Sequence, residues 1–487
     1  MTSFFMLCLV RLVLIFAVAF LPRYAAASKE ALVVYLPWYS GLGAANGCDV
    51  WKKDGYLYRG WSKSRKKNHS LYATKIKEEN FVSRPRELLL TKRLDSVVSD
   101  EMADVRGAGF DVVVVDVLPF PKGDHKLSSL AGLCGLGALD YVAKKAKEKN
   151  LSVAVMYDVM NRSGDYPDGY RMTYEDWVEA YSMAIDRANK HDNYWKPSGV
   201  PAILQFGAGE GAIDGRRGAS SIIRWAELKR RLDSDSLESQ IYLDVRPNTM
   251  KIRGAGFGEF IFAPAAPQLL LNKWQEEIKR SGRPLLWTIS PGYYNQALKT
   301  FVPPDFSRIH NGYVQAMQAG ADRVMVVTWN DYDEDTDIAY SKNKGRALLW
   351  LFGFYNSWFK NGKMPNEASP VLIVSAPLRI PEKTSSGNVP WVKDGGEYRE
   401  SSRLGRAFFW TYVREKSDIY LNGRLVRSVL PGVTFGEVDV TEDSLEFQLS
   451  GTSPLRFSPE STAEERQGGS PGGLEYGYGI SVGVGNE

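Results

Sequence analysis

The sequence predicts a (β/α)8 barrel, the TIM-barrel class, followed by a smaller all-β domain with a sandwich-like strand pattern. Three observations lead there. From residue 31 to about residue 360, eight short β-rich runs alternate with helical periods. Several runs are near-continuous Val, Ile and Leu, as in DVVVVDVL and RVMVVTW, which marks strands buried on both faces of a parallel sheet. After Pro365 the helical periods stop and short strands with turn residues take over. A doubly wound sheet is the alternative, but no G-x-G-x-x-G follows the first strand and no G-x-x-x-x-G-K occurs.

The elements are predicted in chain order as follows. Arg11, the apolar run Leu12 to Leu21 and the small residues Ala25 to Ala27 have the layout of a secretory signal peptide over 1–27, so the mature chain is expected to begin near Ser28, outside the cytoplasm. That run is short for a membrane span, and no later stretch reaches about 20 apolar residues. The barrel is expected over 28–362. Its strands are read at Ala31–Tyr39, Phe110–Pro119, Leu151–Met160, Val200–Phe206, Gln240–Pro247, Phe257–Ala263, Pro284–Pro291 and Arg323–Trp329. Leu94, Val97, Val98, Met102 and Val105 have helical spacing closed by Gly107 and Gly109. Trp177, Ala180, Tyr181, Ala184, Ile185 and Ala188 form a second apolar stripe, and Leu348, Leu351, Phe352, Tyr355 and Trp358 the last.

The β domain is expected over 368–455 as an independently packed module, with strands at Pro370–Pro381, Arg406–Arg414, Ile419–Val429 and Ser444–Ser450. Asn422-Gly423 is its clearest hairpin signal. Residues 456–487, rich in Gly, Ser and Glu, are expected to be disordered.

Composition excludes several classes. Lys and Arg exceed Asp and Glu by only four, which gives no footprint for nucleic acid. The four His are scattered, no Cys or His pair has zinc spacing, and no G-x-S-x-G elbow occurs. Asp331, Asp333 and Asp335 match the first ligands of an EF-hand loop, but Thr336 stands where its glycine belongs and Lys342 where its glutamate does. No metal or cofactor is therefore expected. Export would leave Cys48 and Cys134, which an oxidising compartment permits to pair.

A barrel of this class carries its chemistry at the C-terminal ends of its strands. The polar residues there are Asp116, Asp158, Glu210, Asp244 and Arg246, then Ser290, Tyr293 and Tyr294, then Trp329-Asn330-Asp331-Tyr332-Asp333-Glu334. Five of the seven residues from Asp331 to Asp337 are acidic. Glycoside hydrolysis needs one protonated and one ionised carboxyl group, and crowding of like charges separates their pKa values. Trp38 and Tyr39, at the end of the first strand, are candidate linings of a cleft.

These residues carry a resemblance. Ser290-Pro291, Tyr293-Tyr294-Asn295 and V-T-W-N-D-Y-x-E over Val327 to Glu334 resemble the motifs of glycoside hydrolase family 71, the α-1,3-glucanases or mutanases. V-A-V-M-Y-D ending at Asp158 and I-L-Q-F-G-A-G-E ending at Glu210 are similar to two further strands of that family. Asp333 departs from the pattern, as does Asp335-Thr336. The first strand, V-Y-L-P-W-Y, is closer to family 99, the endo-α-mannosidases. The resemblance implies a secreted hydrolase of an α-linked glucan, inverting, with Asp331 and Glu334 as the catalytic pair. Substrate contacts are expected from the matched motif residues Asp158, Glu210, Tyr293, Tyr294, Trp329, Asn330 and Tyr332, and, from their places at strand ends, from Trp38, Tyr39 and Asp116. The partner is then a polysaccharide or oligosaccharide. An endo-α-mannosidase-like enzyme and a non-catalytic carbohydrate-binding barrel are the alternatives.

Overall fold

The computed structural model describes residues 29–37, 94–117, 119, 136–158, 172–208, 219–245, 258–295, 300–302, 305–330, 336–340, 344–367, 369–377, 392–394, 397–399, 406–440, 444–457 and 476–483. The signal segment, Cys48 and Cys134 lie outside them.

All eight expected barrel strands are present. They are β1 (Glu30–Tyr35), β2 (Val112–Val117), β3 (Ser152–Tyr157), β4 (Ala202–Gln205), β5 (Gln240–Asp244), β6 (Gly258–Phe260), β7 (Trp287–Ile289) and β10 (Arg323–Val326), with a small hairpin of β8 (Tyr293–Asn295) and β9 (Thr300–Val302) between the last two. They run parallel in the order β6-β5-β4-β3-β2-β1-β10-β7. The two ends of that order meet where the Glu259 N–H donates to the Pro284 carbonyl at 2.9 Å and the Leu286 N–H donates to that of Glu259 at 2.9 Å. The sheet is closed. Helices α1 (Leu94–Gly107), α2 (Leu136–Lys147), α3 (Tyr174–Lys190), α4 (Ala219–Ser234), α5 (Gln268–Arg280), α6 (Phe306–Gln318) and α7 (Ala347–Asn361) return the chain between strands.

Local sequence explains the helix ends. Thr173 caps α3 in a reciprocal box with Asp176, each side chain meeting the other's backbone N–H. Asp305 caps α6 through the Ser307 N–H at 2.8 Å. Gly109 after α1 and Gly362 after α7 take φ of 75° and 68°, which glycine reaches without a Cβ penalty.

Alternation along the strands builds two cores. Ala31, Val33, Tyr35, Val113, Val115 and Val117 face the helices, whereas Leu32, Val34, Leu36, Val112, Val114, Ala154, Met156, Leu204, Tyr242 and Phe260 fill the barrel. Trp195, from the connection between α3 and β4, closes the N-terminal end. It stacks on Tyr242 at 5.7 Å, donates its indole N–H to Glu30 at 3.2 Å and lies 5.5 Å beneath the Arg323 guanidinium, which Glu30 also binds. Burial pushes the Tyr242 hydroxyl up to about 12, so it stays protonated in this plug.

The Tyr242 ring leaves no space beside β6. A Cβ on Gly258 would stand 2.2 Å from its Cδ1. Gly258→Ala is therefore expected to cost about 1–3 kcal/mol through overpacking, measured by urea unfolding. Unchanged stability would show that this ring can move aside.

The β domain is a sandwich of two antiparallel four-stranded sheets, β17-β14-β11-β20 and β16-β15-β18-β19. The strands are β11 (Val371–Pro377), β14 (Arg406–Val413), β15 (Ser417–Leu421), β16 (Arg424–Val429), β17 (Gly432–Asp439), β18 (Leu445–Leu449), β19 (Leu455–Phe457) and β20 (Tyr476–Val482), with a hairpin β12 (Val392–Asp394) and β13 (Glu397–Arg399). Asn422 and Gly423 turn the β15–β16 hairpin with φ of 48° and 73°, both positive as a two-residue primed turn requires.

Two expectations are corrected. Tyr476–Val482, placed in a disordered tail, is strand β20, paired with β11 from Val371↔Val482 to Pro377↔Tyr476. The Gly and Ser content that suggested disorder obscured an alternating strand, and the domain reaches well past residue 455. Nor is the β domain separately packed. Leu372, Val374, Phe409, Ile419, Phe447 and Phe457 form its own core, but Val371, Ile373, Phe408, Trp410 and Tyr412, on the opposite face of β11 and β14, join the barrel core. Trp410 donates to the Tyr355 hydroxyl at 2.9 Å, and that hydroxyl lies 2.8 Å from Nδ1 of His310, whose pKa burial lowers. His310, Tyr355 and Trp410 thus join α6, α7 and β14 in one hydrogen-bonded seam.

Candidate active site

With Trp195 filling the N-terminal end, the C-terminal ends of the strands form the other mouth of the barrel. The alternation that buries Val114, Met156, Leu204, Tyr242 and Phe260 in the interior carries Asp116, Asp158, Phe206, Asp244 and Phe262 to the inner face one step further on. Asp116 and Asp158, on the neighbouring strand ends of β2 and β3, are 3% and 0% exposed. Two carboxylates so deeply placed are retained against a large desolvation cost, which is common where function requires them.

Asp244 has a different task. Its Oδ2 accepts from the Gly207 N–H at 3.0 Å and its Oδ1 from the Phe262 N–H at 2.8 Å. One carboxylate thus ties the chain ends leaving β4 and β6 to β5. Buried Arg308 of α6 acts likewise on the other flank, donating to the carbonyls of Ser290 at 3.1 Å and Pro264 at 2.5 Å.

Side-chain amides stand in for strand partners where pairing ends. Asn330 accepts from the Leu36 N–H at 2.8 Å and donates to the Leu36 carbonyl at 2.9 Å, continuing the β1–β10 ladder past the end of β1. Gln275 of α5 does the same for the Thr288 backbone on β7.

Asp331, Tyr332 and Glu334 lie outside the described residues, as do Glu210, Trp38 and Tyr39. The residues on either side of 331–335 are firmly held. The Trp329 N–H donates to the Val34 carbonyl at 2.6 Å, and the Ile338 and Ala339 N–H groups donate to the Trp329 carbonyl at 2.9 and 2.8 Å. Thr328 donates from its backbone to the Thr336 carbonyl at 3.0 Å, and their hydroxyls meet at 2.9 Å. Asp337 pairs with Lys344 at 2.8 Å, both essentially without solvent exposure. One of the five acids in the 331–337 cluster is therefore neutralised within the protein and adds nothing to charge crowding at the mouth.

Three expected contact residues have other surroundings. Trp329 is fully buried in the layer between sheet and helices, because the inward alternation of β10 ends at Val327. The carboxamide of Asn330 is engaged with Leu36, which makes it a brace of the strand end. Tyr293 is 6% exposed and belongs to the β8–β9 hairpin, where Tyr294 pairs with Phe301. The residues that the sequence reading did not single out are Phe206 and Phe262; counting two residues on from inward Leu204 and Phe260 would have found them.

No protein-family model matches the chain, and no curated protein matches it. Among solved structures, the chain is similar to the GH99 endo-alpha-mannosidase from Bacteroides thetaiotaomicron. Two structures of that protein are 11% and 13% identical, each with a TM-score of 0.48, covering 68% of this chain and 98% of the other. It is also similar to a beta-mannanase from Streptomyces thermolilacinus in complex with mannohexaose, at 14% identity and a TM-score of 0.35, covering 50% of this chain and 77% of that one.

Proposed function

We propose that the chain is a secreted glycoside hydrolase that cleaves an α-linked glucan at the C-terminal mouth of its barrel, with α-1,3-glucan as the favoured substrate. The observation that carries this reading is the mounting of the acidic segment. Thr328, Trp329, Asn330 and Thr336, on both sides of 331–335, are tied to each other and to the end of β1. Carboxylates set on a rigid base can be held in a productive geometry, which positioned catalysis requires. The neighbouring strand ends supply Asp116 and Asp158 for sugar hydroxyls, since a carboxylate accepts up to four hydrogen bonds.

In this reading Glu334 protonates the leaving glycosidic oxygen and Asp331 takes a proton from the attacking water, with inversion at the anomeric carbon. The two carboxyl groups then stand roughly 6.5–9.5 Å apart, against about 5–5.5 Å for a retaining pair. The signal-peptide pattern ending at Ala27 supports export, and N-terminal sequencing of exported protein should begin near Ser28.

A second reading, an endo-α-mannosidase-like enzyme, is favoured by V-Y-L-P-W-Y in the first strand. A panel of α-1,3-glucan and α-mannan separates the two by reducing-sugar release, and the anomer formed first, read by NMR, reports inversion or retention. Binding of either polymer with no turnover would leave a carbohydrate-binding barrel in place of an enzyme.

A further inference from the structure

We propose that Asn150 carries an N-linked glycan, on the face of the barrel opposite its mouth. This rests on the export in the reading above, and not on which polymer is cleaved. The acceptor sequence N-x-S occurs at Asn68, Asn150 and Asn161. Asn150-Leu151-Ser152 lies among the described residues, in the turn that leads from α2 into β3. Turns of this kind lie at the N-terminal ends of barrel strands, the end that Trp195 closes. The Trp195 N–H donates to the Val153 carbonyl, one residue beyond Ser152, at 2.7 Å. Carbohydrate there leaves the far mouth open to a polymer.

The fold accounts for only part of this tripeptide. The Leu151 N–H donates to the Ala146 carbonyl at 3.0 Å and the Asn150 N–H to that of Lys147 at 3.1 Å, the paired bonds of a Schellman motif. Asn150 takes its left-handed position with φ of 55°, which asparagine accepts next after glycine. That conformation explains an asparagine and leaves its carboxamide unused. The side chain is exposed and makes no hydrogen bond among the described residues. Ser152 has no conformational reason at all. It opens β3, its N–H donates to the Asp111 carbonyl at 2.9 Å, and its hydroxyl has no partner among the described residues. A valine would suit the start of this strand better. The hydroxyl is what completes the acceptor sequence.

Attachment precedes folding, because the native turn does not offer the tripeptide as an extended chain. Leu151 is 1% exposed, and Asn193 of the α3–β4 connection donates to its carbonyl at 3.1 Å and to that of Ala143 at 3.0 Å. In the unfolded chain the Asn150 carboxamide nitrogen attacks C1 of the first sugar of a lipid-linked oligosaccharyl pyrophosphate. The Nδ2–C1 bond forms and the bond from C1 to the pyrophosphate oxygen breaks. The lipid pyrophosphate departs, and one Nδ2 proton passes to solvent. Folding then leaves the modified side chain in water, as a bulky hydrophilic group requires.

The full chain is expressed through a eukaryotic secretory pathway, and the product is treated with peptide-N-glycosidase in heavy-oxygen water. Mass spectrometry of the peptide that spans residue 150 should show the asparagine converted to labelled aspartate. Ser152→Ala, which keeps Asn150 and its turn, should abolish the label, and Ser152→Thr should retain it. An unlabelled Asn150 in exported protein whose N-terminus begins near Ser28 would overturn the site and leave export standing. A chain held in the cell with Met1 intact would remove export, and the glycan with it.

Discussion

Glu334→Gln and Asp331→Asn should each lower kcat by about 10²–10⁴-fold, the usual contribution of a positioned acid or base, with little loss of stability. Asp333→Asn should do far less, because Asp331 and Glu334 match the carboxylates of the family 71 motif, whereas Asp333 stands where that motif has glycine. The two catalytic variants should also differ from each other. An aryl glycoside with a good leaving group needs no protonation of the departing oxygen, so Glu334→Gln should recover much of its rate on that substrate, whereas Asp331→Asn should not. Steady-state rates on the aryl glycoside and on the natural polymer give the comparison. If both variants keep wild-type turnover while Asp333→Asn loses it, the assignment is wrong.

The second large effect concerns stability. Lys344→Met is expected to cost about 3–5 kcal/mol, because it leaves the buried carboxylate of Asp337 without its counter-charge. Lys344 donates to both the carboxylate and the carbonyl of Asp337 at 2.8 Å, and its ammonium lies 5.7 Å from the Tyr478 ring of β20. It therefore joins the base of the acidic segment to the last strand of the β domain. Asp337→Leu combined with Lys344→Met should recover much of the loss, since a buried ion pair exchanged for apolar groups is often neutral or better. Urea unfolding of the two singles and the double completes the cycle. A Lys344→Met protein as stable as the wild type would mean that the charge is solvated after all.

Particular residues show how far the sequence could be read. The valine run of β2 and the R-V-M-V of β10 announced themselves because a strand covered on both faces has no polar alternation to confuse it. Asp116 and Asp158 were legible for a related reason: a single acid ending such a run must leave the core at a known end of the strand. Asn422-Gly423 declared its hairpin because few residues accept two consecutive positive φ values. In each case the information lies within a few residues of chain.

Other features depended on partners far away in sequence. Trp329 reads as a cleft aromatic until Val34, Ile338 and Ala339 engage its backbone and its ring falls among the helices. Asp337 reads as one of five clustered acids until Lys344 closes on it, and Asp244 as another strand-end acid until Gly207 and Phe262 bring it two N–H groups. Tyr476 to Val482 reads as tail until β11 offers an edge. Local pattern determined which segments are strands, which helices, and at which end of the barrel polar groups collect, because periodicity and turn chemistry act over a few bonds. Which carboxylates are used up inside the protein, which aromatic rings are buried and which strand completes the sandwich were decided only by the closed sheet and its packed neighbours, because the energies of buried charges and shared hydrogen bonds belong to pairs brought together by the fold.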